Sequence, residues 1–304
     1  MHYPPLERWH RYPVTVGISL GAVLMTIWWK SGGNADRWML DDRFWTGQIW
    51  QPLTSSLLHG NVIHLGLNLV AFWVLGTFLE EVYGPAKYLA VVIFLSIGSA
   101  LAEYACTDGG IGLSGMLYGL VGMYWVLRRK DRRFLFSIDD STIKTAIGWF
   151  FLCIVLTYAK VMPIGNVAHG SGAVLGILLG FAIGERNKRR KIGYSLLLFL
   201  ATAMIFAAAS VGRPYVNFTG AAERELEMRA NRIAQKAIIA FDDGDYQKAA
   251  DLFAKALEID GKEPSYWYNM GLCRMNLGQW QKAREAFKRA SELDPENPRY
   301  KKIL

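Results

Sequence analysis

Cysteine is scarce in this chain, with three in 304 residues (Cys106, Cys153, Cys273), and none lies in a Cys-x-x-Cys pair or near a histidine at zinc-ligand spacing. That excludes a disulfide scaffold and indicates neither a metal site nor a redox motif, so no cofactor is expected. Cys153 reads as a small buried apolar residue. Glycine is common, at 30 residues, but unpatterned, which excludes collagen, and an apolar content of 52% excludes disorder. Charge is what the chain most lacks, and it lacks it unevenly. Residues 1–212 carry 30 charged side chains, whereas the 92 residues from 213 to 304 carry another 30. A single soluble globule would not segregate charge in this way. The first part reads as a membrane domain and the second as a small soluble helical one.

A bilayer core needs about 17–25 mostly apolar residues per helix. Seven stretches are candidates, at about 14–29, 62–80, 86–105, 113–127, 144–159, 167–184 and 192–212, the fourth, fifth and sixth of them short or glycine-rich. The first follows Arg8 and Arg11 and lacks a small-residue cleavage site, so it reads as an anchor rather than a removed signal peptide. With a cytoplasmic N-terminus, the inner segments hold fourteen Lys and Arg, among them the 128–133 and 186–191 runs, and the outer loops hold four. That asymmetry follows the positive-inside rule. The formal net charge of +8 is then largely a record of topology, and no nucleic-acid partner is expected. Trp28, Trp29, Trp45, Trp50, Trp149 and Tyr104 lie near span ends, where they are expected to form interfacial belts.

Ionisable and polar groups inside spans are costly and point to function. His64 and Asn68 lie four apart, on one face of the second span. Gly112-Leu113-Ser114-Gly115 opens the fourth, with Tyr118 one turn on, and Ala168-His169-Gly170-Ser171-Gly172 opens the sixth. All three helices start at the outer face, which puts Ser114, His169, His64 and Asn68 at a similar depth. A serine hydroxyl becomes a nucleophile when a neighbouring base takes its proton. The oxyanion then needs donors, here the Ser114 N–H, the His64 ring and the Asn68 amide. No acidic residue is expected in the apolar part of these helices, with Glu80 and Glu81 at the inner end and Asp108 in an outer loop, so the pattern is a Ser–His dyad. Gly172, Gly176 and Gly180, opposite Gly115 and Gly119, would let the two helices approach closely.

At these residues the chain resembles the rhomboid intramembrane serine proteases. Gly112–Gly115 is like their nucleophile motif, Ala168-His169 with its glycine ladder like their base helix, and His59, His64 and Asn68 like their second-helix pattern, continued by Glu80 and Gly84. The resemblance covers about 44–184 and implies a six-helix core whose cavity opens to the outer face. It makes Ser114 the nucleophile, His169 the base, and His64 and Asn68 part of the oxyanion site. It also makes Tyr118 the ring packed on the imidazole, and His59 a brace of the first outer loop. The family often has Trp-Arg before the second helix where this chain has Trp50-Gln51, a change expected to weaken loop anchoring.

In the tail, Gly244, Tyr246, Ala249, Phe253 and Ala256 match Gly278, Trp280, Ala283, Phe287 and Ala290 at an offset of 34, a period resembling the tetratricopeptide repeat. Two repeats fall short of the three or so that usually make a stable stack, so a leading helix at about 223–233, the 300–304 end or a partner must complete the packing.

The expected fold is therefore all-α: a polytopic membrane helix bundle with a rhomboid-like six-helix core and a seventh span, then a small soluble helical-repeat domain. Its parts are a cytoplasmic N-terminus at 1–13, a catalytic domain at 14–184, a basic loop and seventh span at 185–212, and an extracytoplasmic repeat domain at 213–304. The expected function is an intramembrane serine endopeptidase of the cell (inner) membrane that cleaves transmembrane protein substrates near the outer face. Its tail would recruit substrate or hold a protein or peptide partner. The alternative is a non-catalytic rhomboid-like adaptor, whose mark would be a missing serine or histidine; both are present.

Overall fold

The computed structural model describes residues 6–301; the first five residues of the N-terminal segment and the last three of the tail lie outside the described residues. No strand occurs among the described residues. The chain divides into two compact units, one through Thr219 and one from Gly220.

The first unit contains α1 (Pro13–Lys30), α2 (Gln51–Leu57), α3 (Val62–Tyr83), α4 (Pro85–Cys106), α5 (Ser114–Lys130), α6 (Asp140–Tyr158), α7 (Asn166–Gly184), α8 (Lys188–Ala209) and α9 (Arg213–Val216). Local chemistry sets many of the starts. Proline opens α1 and α4, while the side chains of Asn61, Asp139 and Asn187 accept backbone N–H groups in the first turns of α3, α6 and α8. Among the described residues, six helices (α1, α3, α4, α6, α7 and α8) are long and apolar enough to cross a membrane. The protein is a multi-pass membrane protein. The remaining expected span is α5, which is 17 residues long and ends in Arg128-Arg129-Lys130. Its length of about 25 Å is short for a hydrocarbon core. Protein rather than lipid surrounds it: ten of its residues, from Gly115 to Leu127, are buried.

Successive long helices run antiparallel. One end of the bundle gathers the starts of α3, α5 and α7, the end of α4 and the end of α8. The opposite end gathers the basic residues: Lys130 pairs with Glu185 at 2.8 Å, Arg128 with Asp140, and Arg133 with Asp131 at 2.7 Å. There Glu80, buried in α3, accepts from Val14 N and Thr15 N, each at 2.9 Å, and from Thr15 Oγ1 at 2.8 Å. A carboxylate on one helix thus caps the start of another.

The tightest contact is the seam between α5 and α7. A Cβ added to Gly172 would stand 2.0 Å from the Gly115 carbonyl oxygen, and one on Gly176 would stand 1.8 Å from that of Gly119. No side chain fits, so the expected glycine ladder is a direct backbone-to-backbone contact. By contrast α6 buries only Cys153 and α8 only Ala209. Their apolar faces, with Phe151, Val155, Phe199 and Met204 exposed, form the sides of the bundle that lipid would cover.

Two features at the Ser114 end of the bundle depart from the sequence reading. Tyr104, expected in an interfacial belt, is fully buried, and the Arg213 guanidinium lies 3.6 Å from its ring centroid. The reason is the linker: Arg213 Nη1 and Asn217 Nδ2 both donate to Thr107 O, and Phe218 N donates to Cys106 O. Residues 213–219 therefore pack on the end of α4, and the division between units falls after Thr219, seven residues beyond the compositional boundary at 212. Gln51, for its part, does not loosen the loop between α1 and α2. It is fully buried, donating from Nε2 to Asp41 Oδ1 and accepting from Asp41 N through Oε1, at 3.1 and 3.2 Å. An amide, donor and acceptor at once, ties the loop from inside.

The second unit contains α10 (Ala221–Asp242), α11 (Tyr246–Ile259), α12 (Pro264–Asn276), α13 (Trp280–Leu293) and α14 (Pro298–Lys301). The pairs α10/α11 and α12/α13 are the two repeats. Gly244 and Gly278, matched at the period of 34, take left-handed φ of 80° and 69° between the paired helices, where glycine is favoured. Alanines 230, 234, 237, 249, 250, 256, 286 and 290 are buried, with Phe253 and Phe287 filling between helices. The leading helix expected at about 223–233 is continuous with the first helix of the first repeat, as α10. At the other end Tyr300 of α14 is buried, with its ring 5.3 Å from that of Tyr268. The short α14 thus covers part of the last repeat.

Candidate active site

Ser114 is the first residue of α5 and is presented by a loop whose shape glycine permits: Gly109 and Gly112 have φ of 92° and 101°. The loop is tied down behind the serine. Gly112 N donates to Ser55 O at 3.2 Å. His59 is fully buried, with Nδ1 3.1 Å from Leu57 O and Nε2 3.5 Å from Leu113 N, so it joins the end of α2 to the residue before Ser114.

His169 lies in the first turn of α7, where the glycine seam carries it against α5. Its Nε2 is 2.8 Å from Ser114 Oγ, a full hydrogen bond between side chains 55 residues apart. The ring of Tyr118 covers the imidazole, with centroids 4.6 Å apart and planes tilted by 30°. Tyr118 is itself fixed by donation of its hydroxyl to Ala146 O on α6 at 3.1 Å. His169 Nδ1 is buried and has no hydrogen-bond partner among the described residues.

The α3 residues converge on the same place. A Cβ on Gly112 would stand 2.8 Å from His64 Nε2 and 3.3 Å from Asn68 Nδ2. Glycine at 112 therefore leaves room for both side chains beside the turn into Ser114. Asn68 Nδ2 is buried with no hydrogen-bond partner among the described residues, an unspent donor that is costly unless something accepts from it. His59 and His64 are edge to face at 4.9 Å. Gly115 closes the other side, where a Cβ would meet Ser99 Oγ at 2.7 Å and Ala168 Cβ at 3.1 Å. A small cavity remains between Ser114, Gly112, Ser99, Ser56, Glu103 and Gly165. The arrangement brings together a hydroxyl, an imidazole within hydrogen-bonding reach of it and unpaired donors nearby, which are groups that acyl transfer can use. Among the described residues no group of three or more His, Cys, Asp or Glu could hold a metal ion.

All of Ser114, His169, His64, Asn68, Tyr118, Gly112, Gly115 and Gly172 thus meet at one end of the bundle. One residue was missed. Glu103 is an acidic residue within the apolar part of α4, 3% exposed, with its carboxylate 2.7 Å from the Ala168 N–H. The expectation of no acid concerned the helices of His64, Ser114 and His169; Glu103 lies on the intervening α4, three residues before its end, and reads in the sequence as an end charge.

Residues 46–186 match the model of the rhomboid domain. The membrane unit carries a rhomboid domain over these residues. Residues 240–304 match a tetratricopeptide-repeat model, so the rhomboid domain is followed by a repeat region. A rhomboid protease, GlpG, of Pectobacterium atrosepticum is 31% identical over 137 residues, covering 44% of this chain and 48% of the relative. Another, GluP, of Bacillus subtilis is 26% identical over 255 residues, covering 74% of this chain and 49% of the relative. GlpG of Yersinia pseudotuberculosis is 27% identical over 148 residues, covering 48% and 51%. The chain spans about half the length of the curated relatives it matches.

Proposed function

We propose that this rhomboid-domain protein is an intramembrane serine endopeptidase using Ser114 and His169. The observation that carries the reading is the 2.8 Å contact between Ser114 Oγ and His169 Nε2 under the Tyr118 ring. His169 takes the hydroxyl proton as Oγ bonds to the scissile carbonyl carbon, and the carbonyl oxygen becomes an oxyanion. The unspent Asn68 amide, the His64 ring and the Ser114 N–H are its donors. Collapse of the tetrahedral adduct breaks the C–N bond, and the leaving amine takes the proton from His169. Water then attacks the acyl-serine by the same proton route and restores the hydroxyl. Substrate helices must unwind to offer a carbonyl, since a helix keeps its own hydrogen-bonded.

The proposed substrates are transmembrane proteins cut near the outer face of the cell membrane, with the N-terminus cytoplasmic and the repeat region outside. The end of α8 and residues 213–219 pack on the loop after α4, at the same end of the bundle as Ser114, which supports an exit of the chain on that face. The repeat region would recruit or orient substrates there, a role that suits stacked helix pairs.

Ser114→Ala, assayed in liposomes on a reporter transmembrane substrate, is expected to abolish cleavage while leaving binding and folding intact; unchanged cleavage refutes the assignment. Deletion of 220–304 is expected to reduce cleavage of native substrates and spare a generic one. Equal loss on both, or none, refutes recruitment.

A further inference from the structure

We propose that Glu103 is the positioning residue for the base: its carboxylate, on α4, caps the start of α7 and so holds His169 at bonding distance from Ser114. The proposal rests on the reading of Ser114 and His169 as the reacting pair.

Helix α7 needs an outside cap. Its N-cap is Gly165, which has no side chain to offer, and its first turn contains no acidic residue. The first N–H groups of a helix have no partner within it, and in an apolar interior that is costly. Glu103 Oε2 accepts from Ala168 N at 2.7 Å, while Oε1 accepts from Thr107 Oγ1 at 2.8 Å. Thr107 Oγ1 is also 2.9 Å from Glu103 O, so the threonine locks the carboxylate in one orientation. A carboxylate here also faces the positive end of the α7 dipole.

Glycines on both sides make way for it. A Cβ on Gly165 would stand 3.2 Å from Glu103 Oε2, and one on Gly110 would stand 3.1 Å from Glu103 Cγ. Gly110 belongs to the loop that delivers Ser114, and Gly165 precedes the helix that delivers His169. One side chain therefore touches the supports of both reacting groups. It does not orient the imidazole directly, because His169 Nδ1 has no hydrogen-bond partner among the described residues. His169 is the fourth residue of α7, and its N–H makes an early backbone bond of that helix, to Gly165 O at 3.2 Å. If the turn frays, the ring moves with it. The same device closes the opposite end of the bundle, where Glu80 caps α1.

The role requires an acceptor at the right reach rather than a charge. Glutamine keeps the reach and the acceptor, and its amide can donate to Thr107 Oγ1 while that hydroxyl donates to Glu103 O. Aspartate keeps the charge and loses a methylene of reach. In the full-length protein, Glu103→Gln is expected to keep kcat within about 3-fold, whereas Glu103→Ala and Glu103→Asp lower it about 10- to 100-fold with KM nearly constant. Hydrogen exchange at Ala168 and His169 should quicken in the Ala and Asp variants and not in Gln. Wild-type kcat in both Ala and Asp, a loss confined to KM, or a Gln variant as impaired as Ala overturns the proposal. Should Glu103→Ala fail to fold, the Gln-against-Asp comparison decides. Ser114→Ala measured alongside separates the two readings. If it still cleaves, the reacting pair is wrong, and exchange at Ala168 continues to test the cap.

Discussion

Both units of this protein bring helices together over small residues, but by different means. In the membrane unit, glycines of α5 and α7 meet backbone against backbone. In the repeat unit, alanines line the helices and aromatic rings fill the space between, and Gly271 faces the Phe287 ring, which a Cβ would meet at 2.5 Å. A ring at the end of a rotatable bond can move, whereas a carbonyl within a helix cannot. The seam is therefore the stiff part of the molecule, and it is the part that sets Ser114 against His169. Lipid provides no hydrophobic drive between helices, so close van der Waals packing has to supply the association there. Water supplies that drive in the repeats, and their packing tolerates looser fits.

The comparison can be broken at its extremes. Gly176→Ala, whose Cβ would collide with the Gly119 carbonyl, is expected to cost about 3 kcal/mol or more of stability and to separate the dyad. Activity should fall about 100-fold or more even where the variant remains folded. Thermal unfolding in detergent together with turnover checks this, and wild-type behaviour in both would show the seam to be pliable. Gly271→Ala is expected to cost about 1–2 kcal/mol, read as a lower Tm of the repeat transition, with cleavage of a generic substrate unchanged. An effect as large as that of Gly176→Ala would erase the distinction between rigid and yielding contacts.

The smallest effect concerns the end of the seam away from Ser114, where Lys130 of α5 pairs with Glu185 just after α7. The Lys130 ammonium, with help from the Asn187 N–H, holds the Glu185 carboxyl at about 2, well below its usual value of 4.5. A depressed carboxyl stabilises the fold above its unfolded pKa, and the contribution disappears as pH falls through about 4.5 toward 2. Wild type should therefore exceed Glu185→Gln slightly in Tm at pH 7, with the gap closing on acidification. A gap independent of pH would mean that packing rather than the ion pair joins the helix ends.

Much of the membrane unit was legible because the bilayer imposes long apolar runs and because polar groups within them stand out. His64, Asn68, Ser114 and His169 were visible for that reason. Glu103 was not, since a charge near a helix end looks solvated in a sequence, and only the packing of α4 against α7 shows that it is enclosed. Tyr104 was misplaced for the same kind of reason: a ring near a span end reads as interfacial until the linker folds Arg213 over it. Gln51 looked like a lost anchor because its partner, Asp41, lies ten residues earlier in an irregular loop.

By itself the sequence determined the order of the seven long helices of the membrane unit, the two kinds of domain and the residue types of the candidate site. These follow from local quantities: hydropathy over a helix length, charge beside apolar runs, and a period of 34 residues. Only the tertiary structure decided which groups touch. The 2.8 Å contact of Ser114 with His169, the capping of α7 by Glu103 and the attachment of residues 213–219 to α4 all join distant segments. Such contacts depend on how closely two backbones can approach, a property of a pair of surfaces that neither segment carries alone.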